Sequence, residues 1–369
     1  MEPVRLGMIG CGQISEKFFR QAAQLEGVEF VATCAAHEES ARRKAEEKGI
    51  RRWYTDYQEL LRQDDIDGVV ITTPHSLHAR MARDAALAGK HALVEKPVAT
   101  RWDEAVEMVE AFERTGRVLV ALPFDHYTYV TTGLSYIKEE YIGKVTAIDA
   151  QFSLPGPPRS NWYYTRAISH GGAMLDTAPY ALTRIAEVMG PATRVTAFVN
   201  TLIPQRMCGD GGRVHSDVDD NVTVLLEYPG GQQAIMRSCW AYSYMDRSVI
   251  VHGRHGDVFW NTAGELLIVR STLKPVPQAE PVRFLGLDHC YRPVIPPQTV
   301  EQDVMAEFVR CIRTGERPTA HGRLALHVIE QLMKAYESAA TGRILPLETT
   351  FESWWQPEPG LFDLKGQWL

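Results

Sequence analysis

From Val4 to about Leu122 the chain alternates short apolar runs rich in branched residues with segments of helical period. That alternation has few stable solutions other than parallel strands covered by their crossover helices. Strands are expected over residues 4–9, 29–34, 68–72, 91–94 and 118–122, and helices over about 14–25, 38–48, 57–62, 77–88 and 103–114. Most of these helices are closed by a glycine just past the end (Gly27, Gly49, Gly89, Gly116). This is a doubly wound α/β pattern with a parallel sheet. Past residue 122 the texture changes. An aromatic-rich stretch (Phe124, Tyr127, Tyr129, Tyr136, Tyr141) leads to a strand over 144–153, a Pro-rich loop at 155–158 and one helix near 174–189. Strand-like runs at 194–201, 221–228, 232–240, 247–253 and 266–270 then follow without helices between them. The turn Pro229-Gly230-Gly231 joins two of them as a hairpin. Consecutive strands predict a mostly antiparallel open sheet and an α+β second half. Residues 208–215 read as a mobile loop, and helices resume over 300–313 and 323–341. We expect two domains, 1–122 and 123–369, as a 369-residue chain that is 45% hydrophobic suggests.

Charge and composition narrow the partners. The net charge is -7, from 39 Lys plus Arg against 46 Asp plus Glu, and no basic block is present to neutralise a run of phosphates, so nucleic acid is not expected. No apolar run approaches the roughly 18 residues of a membrane helix. Met-Glu-Pro leads straight into the first strand, without the pattern of a leader peptide. The six cysteines are scattered, with no Cys-x-x-Cys spacing to suggest a disulfide framework or a zinc knuckle. A soluble, reduced, cytoplasmic protein is expected.

Gly10-Cys11-Gly12-Gln13-Ile14-Ser15 follows the first strand and opens the first helix, the context a dinucleotide fingerprint requires. Glycines there permit a tight turn and close approach to a pyrophosphate, whose charge meets the free N–H groups of the helix N-terminus. Gly10, Gly12, Gln13 and Ile14 are the candidate contacts, although Ser15 replaces the third glycine. At the end of the second strand, where an acid would favour NAD, the chain reads Cys34-Ala35-Ala36-His37, with Arg42 and Arg43 beyond. Without an acid, Ala36 and His37 tilt the site slightly toward NADP. The two arginines are equally explained as an exposed, solvated helix face.

At the ends of the next long strands stand Thr72-Thr73-Pro74-His75-Ser76-Leu77-His78 and Glu95-Lys96-Pro97, with Gly89-Lys90-His91 leading into the second of them. With the glycine loop, these resemble the Gfo/Idh/MocA oxidoreductases over nearly the whole chain, as far as Gly322-Arg323-Leu324-Ala325 and the helix that ends at Gly342-Arg343. The resemblance implies a Rossmann NAD(P)-binding domain over 1–122 and a substrate-binding, oligomerising domain over 123–369. NAD or NADP is the implied cofactor, with Thr73, Pro74, His78, Glu95 and Lys96 among its contacts, and the assembly is a homo-oligomer, dimer or tetramer. It also implies that Lys96 reaches the reacting oxygen of the substrate and that the bond before Pro97 is cis. Glu95 either contacts the cofactor or ties down its loop. His75 and His78 stand three apart with no third ligand in sequence, so packing or cofactor contact is expected rather than a metal. The same holds for His215, Asp217, Asp219 and Asp220.

His170-Gly171-Gly172-Ala173-Met174-Leu175-Asp176-Thr177-Ala178-Pro179-Tyr180 resembles the family's Gly-rich turn into a helix that bears Asp and, four residues on, His or Tyr. On one helix that spacing puts Asp176 and Tyr180 on one face, with Thr177 between them as a further substrate contact. Hydride transfer from a C–OH needs a base for the hydroxyl proton, and the reverse needs an acid. Tyr180 is the candidate acid/base, Lys96 the polarising group and Asp176 the orienter. Trp162, Tyr163 and Arg166 lie where the family contributes substrate contacts, and aromatic faces beside hydrogen-bonding groups suit a sugar or cyclitol. The family's Asn-x-Arg-aromatic run is replaced by Leu122-Pro123-Phe124-Asp125-His126-Tyr127, which makes His126 a substrate candidate. The expected activity is NAD(P)-dependent hydride transfer at a hydroxyl or keto carbon of a sugar, cyclitol or related polyol. Two other readings stay open, a glycoside-cleaving enzyme with internal redox cycling and a cofactor-dependent sensor.

Overall fold

The computed structural model describes residues 2–121, 128–157, 161–207, 212–261, 266–294 and 303–353. The chain divides into two compact units. The first comprises residues 1–124, 168–170 and 302–329, the second 125–167, 171–301 and 330–369.

The first unit holds β1 (Val4–Ile9), α1 (Ser15–Ala22), β2 (Val28–Cys34), α2 (Glu38–Lys48), β3 (Arg52–Tyr54), α3 (Tyr57–Leu61), β4 (Gly68–Ile71), α4 (His78–Leu87), β5 (His91–Val94), α5 (Trp102–Thr115) and β6 (Leu119–Ala121). All strand pairs are parallel, in the order β3-β2-β1-β4-β5-β6. This is the doubly wound order whose strand ends hold dinucleotides. Alternation along β1 sends Val4, Leu6 and Met8 to one face, where they join Phe18, Phe19 and Ala22 of α1. Val304, Met305, Phe308 and Val309 of the late helix Val304–Thr314 enter the same core. That shared core is why residues 302–329 cluster with the N-terminal strands, a long-range pairing that sequence periodicity does not disclose. The opposite face is covered in turn, since a Cβ on Gly7 would meet Leu60 of α3 at 2.7 Å.

The second unit holds α6 (Thr128–Lys138), β7 (Val145–Gln151), α7 (Arg166–Ser169, whose last two residues belong to the first unit), α8 (Ala173–Asp176) and α9 (Ala178–Met189). Next come β8 (Arg194–Asn200), β9 (Gln205–Met207), β10 (Arg213–His215), β11 (Asn221–Glu227), β12 (Gln233–Cys239) and β13 (Ser248–Gly253). They are followed by β14 (Gly256–Asn261), β15 (Leu266–Ser271), β16 (Ala279–Phe284), β17 (Leu287–Pro293) and β18 (Leu345–Pro346). The two late helices become α10 (Val304–Thr314) and α11 (Gly322–Thr341), the latter running into the second unit. Ten strands form one sheet in the order β16-β17-β15-β14-β13-β7-β12-β11-β8-β18. Every pair in it is antiparallel except β12 with β7. The strands alternate, so Val222, Val224 and Leu226 of β11 and Ala234 and Met236 of β12 are buried, whereas Leu225, Ile235 and Phe198 are exposed on the other face. The apolar side of α9, with Ala181, Leu182, Ile185 and Ala186, is buried as well.

Two local expectations are corrected. The single helix expected near 174–189 is broken at Thr177, which ends α8 and caps α9 with φ -111°. Pro179 has no N–H to continue a helix from α8 but suits the first turn of a new one. Asp176 and Tyr180 therefore sit on separate helices, and the one-face argument built on i,i+4 spacing does not hold. Part of the stretch read as a mobile loop is ordered, since β10 pairs antiparallel with β9 through Val214 and Arg206.

Candidate active site

In the first unit the candidate residues collect at the carboxyl ends of the parallel strands. β1 runs into Gly10, whose φ of +101° is open to glycine, and a Cβ there would lie 2.7 Å from the carbonyl carbon and oxygen of Thr72. The turn is fastened on both sides, because Gly10 N–H donates to Cys34 O at 2.8 Å and Thr72 Oγ1 donates to Gly10 O at 2.7 Å. Ser15, where a third glycine was expected, is fully buried and its hydroxyl donates to Gly12 O at 2.6 Å. The serine thus closes the loop onto α1 in place of the close packing a glycine would permit. Gly12, Gln13 and Ile14 are exposed, and nothing lies within 4 Å of a Cβ built on Gly12. Among the described residues their backbone N–H groups meet no acceptor. A loop of open N–H groups at the start of a helix, with room above it, fits a pyrophosphate.

Ala36 and His37 are exposed past the end of β2, where α2 opens with Glu38 and Glu39. Pro74 is exposed, and the Thr73 hydroxyl lies 3.6 Å from Met81 Sδ. His78, 1% exposed, has Nδ1 2.8 Å from Pro97 O and Nε2 2.7 Å from Thr73 O. Burial, with a smaller push from the Lys96 charge, holds its pKa below the ordinary histidine value, so a neutral ring donates its one N–H to one carbonyl. The imidazole thus lies between the Thr73 turn and the Lys96–Pro97 loop, bonded to one of their carbonyls and packed against the other. Its buried ring is placed as a clamp between two main-chain segments, beneath the exposed turn. The Lys96–Pro97 peptide is cis, and Lys96 N–H donates to Glu95 Oε2 at 3.0 Å. Burial and the charges of Lys96, His78 and His170 push the His75 pKa well down. His170 adopts a left-handed φ of 64°, which favours glycine, and its Nδ1 lies 2.9 Å from Thr100 Oγ1.

In the second unit the candidates are built from side chains. The Asp219 carboxylate, 2% exposed, accepts Gly172 N–H at 3.0 Å, Met174 N–H at 2.7 Å and Tyr336 OH at 2.6 Å. Gly172 allows this approach, because a Cβ would fall 1.8 Å from Asp219 O. Burial, then the Asp219 charge, raises the Tyr336 pKa well above the usual phenol value, so the phenol stays a donor. This latch fixes the start of α8, which ends in the buried Asp176. Thr177, 2% exposed, has its hydroxyl 2.6 Å from Ser238 Oγ, donates to Ala173 O at 3.1 Å and accepts from Trp240 Nε1 at 3.1 Å. Its polar capacity is spent inside the unit. Tyr180 stacks on Phe152, with centroids 4.7 Å apart and planes at 10°. Trp162 and Tyr163 stack on each other at 3.8 Å, and exposed Arg166 is held by Asp217 through its backbone N–H at 2.6 Å and its Nε at 3.1 Å. Asp220 pairs with Arg206 at 2.6 Å and accepts Leu202 and Ile203 N–H groups. His126 lies outside the described residues.

Sequence reasoning missed Asp219 as a latch, together with Tyr336, Phe152 and Thr100. In sequence Asp219 reads as one of several neighbouring acids, and its partners lie 45 to 117 residues away.

The strand order and the open glycine loop define a dinucleotide-binding enzyme fold. Residues 4–122 match the model of the Gfo/Idh/MocA oxidoreductase family with its NAD-binding Rossmann fold, and residues 134–259 match the family's C-terminal domain. The chain is 26% identical over 348 residues to D-xylose 1-dehydrogenase (NADP(+)) 2 of Haloferax volcanii, spanning 93% of this chain and 99% of that protein. It is 30% identical over 239 residues to an uncharacterized oxidoreductase of Rhizobium meliloti, spanning 64% of this chain and 68% of that protein. Among solved structures, levoglucosan dehydrogenase in complex with NADH and L-sorbose superposes with a TM-score of 0.80 at 20% identity, covering 95% of this chain and 100% of that one. The chain belongs to the Gfo/Idh/MocA family of oxidoreductases, and its first unit is an NAD-binding Rossmann domain. Among the described residues no helix is long and apolar enough to cross a membrane.

Proposed function

We propose that this protein moves hydride between a nicotinamide cofactor and a hydroxyl-bearing carbon of a sugar, cyclitol or related polyol. The observation that carries the reading is the open glycine loop of the first unit, with the Glu95-Lys96-Pro97 loop on the same strand-end edge of its sheet. The names of the relatives, a xylose and a levoglucosan dehydrogenase, support the substrate class. Gly10, Gly12, Gln13 and Ile14 would hold the pyrophosphate, and Ala36, His37, Thr73, Pro74 and Glu95 would border the rest of the cofactor. The end of β2 offers no acid to a ribose 2′-hydroxyl, which leaves room for the phosphate of NADP, while Glu38 and Glu39 suit NAD. When bound, the nicotinamide supplies the acceptor or donor of hydride.

The chain supplies the proton and the orientation. The Lys96 ammonium polarises the substrate oxygen, Tyr180 takes or gives its proton, and Asp176 orients the reacting group. Trp162, Tyr163 and Arg166 would contact the rest of the substrate. Thr177 we assign to holding Trp240 rather than to the substrate, because its hydroxyl is committed. The exposed Phe198, Leu225 and Ile235 on the open sheet face support a homo-oligomer, dimer or tetramer. Sedimentation of the full chain as a monomer would overturn that part. Cys11, Cys34, Cys239, Cys290 and Cys311 are free thiols, which supports a reducing, cytoplasmic setting.

The test follows reduced-nicotinamide absorbance with NAD and NADP supplied separately to a panel of sugars, cyclitols and dihydrodiols, and the reduced cofactors supplied to keto-sugars. Lys96→Met and Tyr180→Phe run in parallel. Turnover should fall about a hundredfold or more in each variant. Turnover that survives both substitutions would overturn the assignment.

A further inference from the structure

Beside Tyr180 the second unit builds a cluster of two rings and a cation that the proposed chemistry does not yet use. The Tyr180 ring lies flat on Phe152, and the Arg247 guanidinium sits over the same Phe152, 4.3 Å from its centroid and 5.9 Å from that of Tyr180. The backbone dictates this arrangement. Ser153 and Asp246 exchange two N–H···O bonds of 2.8 Å, which sets their chain neighbours Phe152 and Arg247 side by side. Phe152 N–H donates to Arg237 O at 2.9 Å, anchoring the ring where β7 meets β12. The Asp246 carboxylate is tied to Gln151 Nε2 at 3.0 Å, Ser248 N–H at 3.0 Å and Asn261 Nδ2 at 3.2 Å. Phe152 is 5% exposed, so the charge stands against a buried apolar ring on that side rather than in open water.

Apart from Asp176, the other charges on α9 and on the elements packed against it are committed elsewhere. On the helix itself Arg184 pairs with Glu187. Of the elements packed against it, β7 carries Asp149, 3.5 Å from His252 Nε2, β12 carries Arg237, which lies over Tyr242, and α8 carries Asp176. Asp176 would oppose ionisation of a nearby phenol, and so would burial.

We propose that Arg247, held beside Phe152 and 5.9 Å from the centroid of the Tyr180 ring, is a positioning residue for Tyr180 that fixes the ring and favours its phenolate. The inference rests on the reading of Tyr180 as the acid/base, and it supplies what that reading lacks. A free phenol ionises near pH 10, too high for a base at neutral pH, and a cation at this range lowers that value. In the reverse direction a more acidic Tyr180 is also a better proton donor.

The test is an ultraviolet difference titration of the full chain, which has 14 tyrosines. The wild-type curve minus that of Tyr180→Phe isolates the one phenolate. We expect it to ionise about one unit below the ordinary value, Arg247→Met to move it back up by about that amount, and Arg247→Lys to keep most of the shift. Lys96→Met in the same titration separates any contribution of that ammonium. A wild-type Tyr180 that titrates at or above the ordinary value overturns the proposal, and this holds even if Arg247→Met fails to fold. An unmoved midpoint in a folded Arg247→Met overturns it too. If the shift is present while Tyr180→Phe turns over normally, the electrostatic inference stands and the acid/base reading falls. If Tyr180→Phe abolishes turnover and no shift exists, that reading stands and the inference falls.

Discussion

At the strand ends of the first unit the groups that shape the candidate site belong mostly to the main chain: the N–H groups of Gly12, Gln13 and Ile14, and the carbonyls of Thr73 and Pro97 on either side of His78. In the second unit they belong to side chains, namely the Asp219 carboxylate on the start of α8, the Thr177 hydroxyl under Trp240, and the cluster of Tyr180, Phe152 and Arg247. Main-chain donors serve a ligand whose phosphates never vary and tolerate drift in the side chains around them. Side-chain sites fix one arrangement but can be rebuilt residue by residue for a new substrate. The two units thus differ in what shapes their candidate sites, main-chain groups in the first and side chains in the second.

Substitutions can sharpen or break this contrast. The largest effect is expected at Asp219. Asp219→Ala strands the Gly172 and Met174 N–H groups and the Tyr336 hydroxyl in a buried place, and should cost about 4 kcal/mol of stability, read by urea unfolding. Tyr336→Phe, which removes one of those bonds, should cost about 1 kcal/mol. Equal, small losses in both would show that main-chain contacts hold α8 after all.

A smaller effect with a definite sign is expected from His91 in the first unit. Burial, then the Arg117 charge, brings its pKa down to about 4, and its Nδ1 accepts Val118 N–H at 2.9 Å, which requires that nitrogen unprotonated. The unfolded chain binds this proton near pH 6.5 and the folded chain only near 4, so the unfolded state carries more protons between those values. Stability is therefore complete above pH 6.5 and falls as pH drops toward 4. Allowing for partial exposure, His91→Asn should lose about 1 kcal/mol less than wild type between about pH 7 and pH 5 in urea melts. An identical pH slope would remove His91 from the account.

Legibility followed the range of the interactions involved. β1, β5 and α2 stand where hydrophobic period and a closing glycine placed them, and the Pro229-Gly230-Gly231 hairpin joins β11 to β12 as its turn residues require. β3, β14, β16 and β17 escaped. β3 has three residues, too few for a period to show, and β16 with Pro281 and Arg283 is a polar, half-exposed strand whose pairing to β17 comes from tertiary context. At the candidate site, the glycine loop and Glu95-Lys96-Pro97 were readable because each is a contiguous run at a strand end. Asp219 with Tyr336 and Phe152 with Arg247 were not, because each pair is joined only by folding. The break at Thr177 was present in the sequence as Pro179, but apolar spacing on either side masked it.

The most direct test of the division into a main-chain cofactor half and a side-chain substrate half is calorimetric binding of NAD and NADP to wild type, Gly12→Ala and Tyr180→Phe, beside their thermal melts. A methyl on Gly12 meets no protein atom within 4 Å and adds bulk to the loop that carries the open N–H groups. The account predicts an unchanged melt with cofactor affinity lowered about tenfold or more for Gly12→Ala, worth about 1.4 kcal/mol, and wild-type affinity for Tyr180→Phe despite its lost turnover. Undiminished binding by Gly12→Ala, or weakened binding by Tyr180→Phe to match its lost turnover, would contradict it.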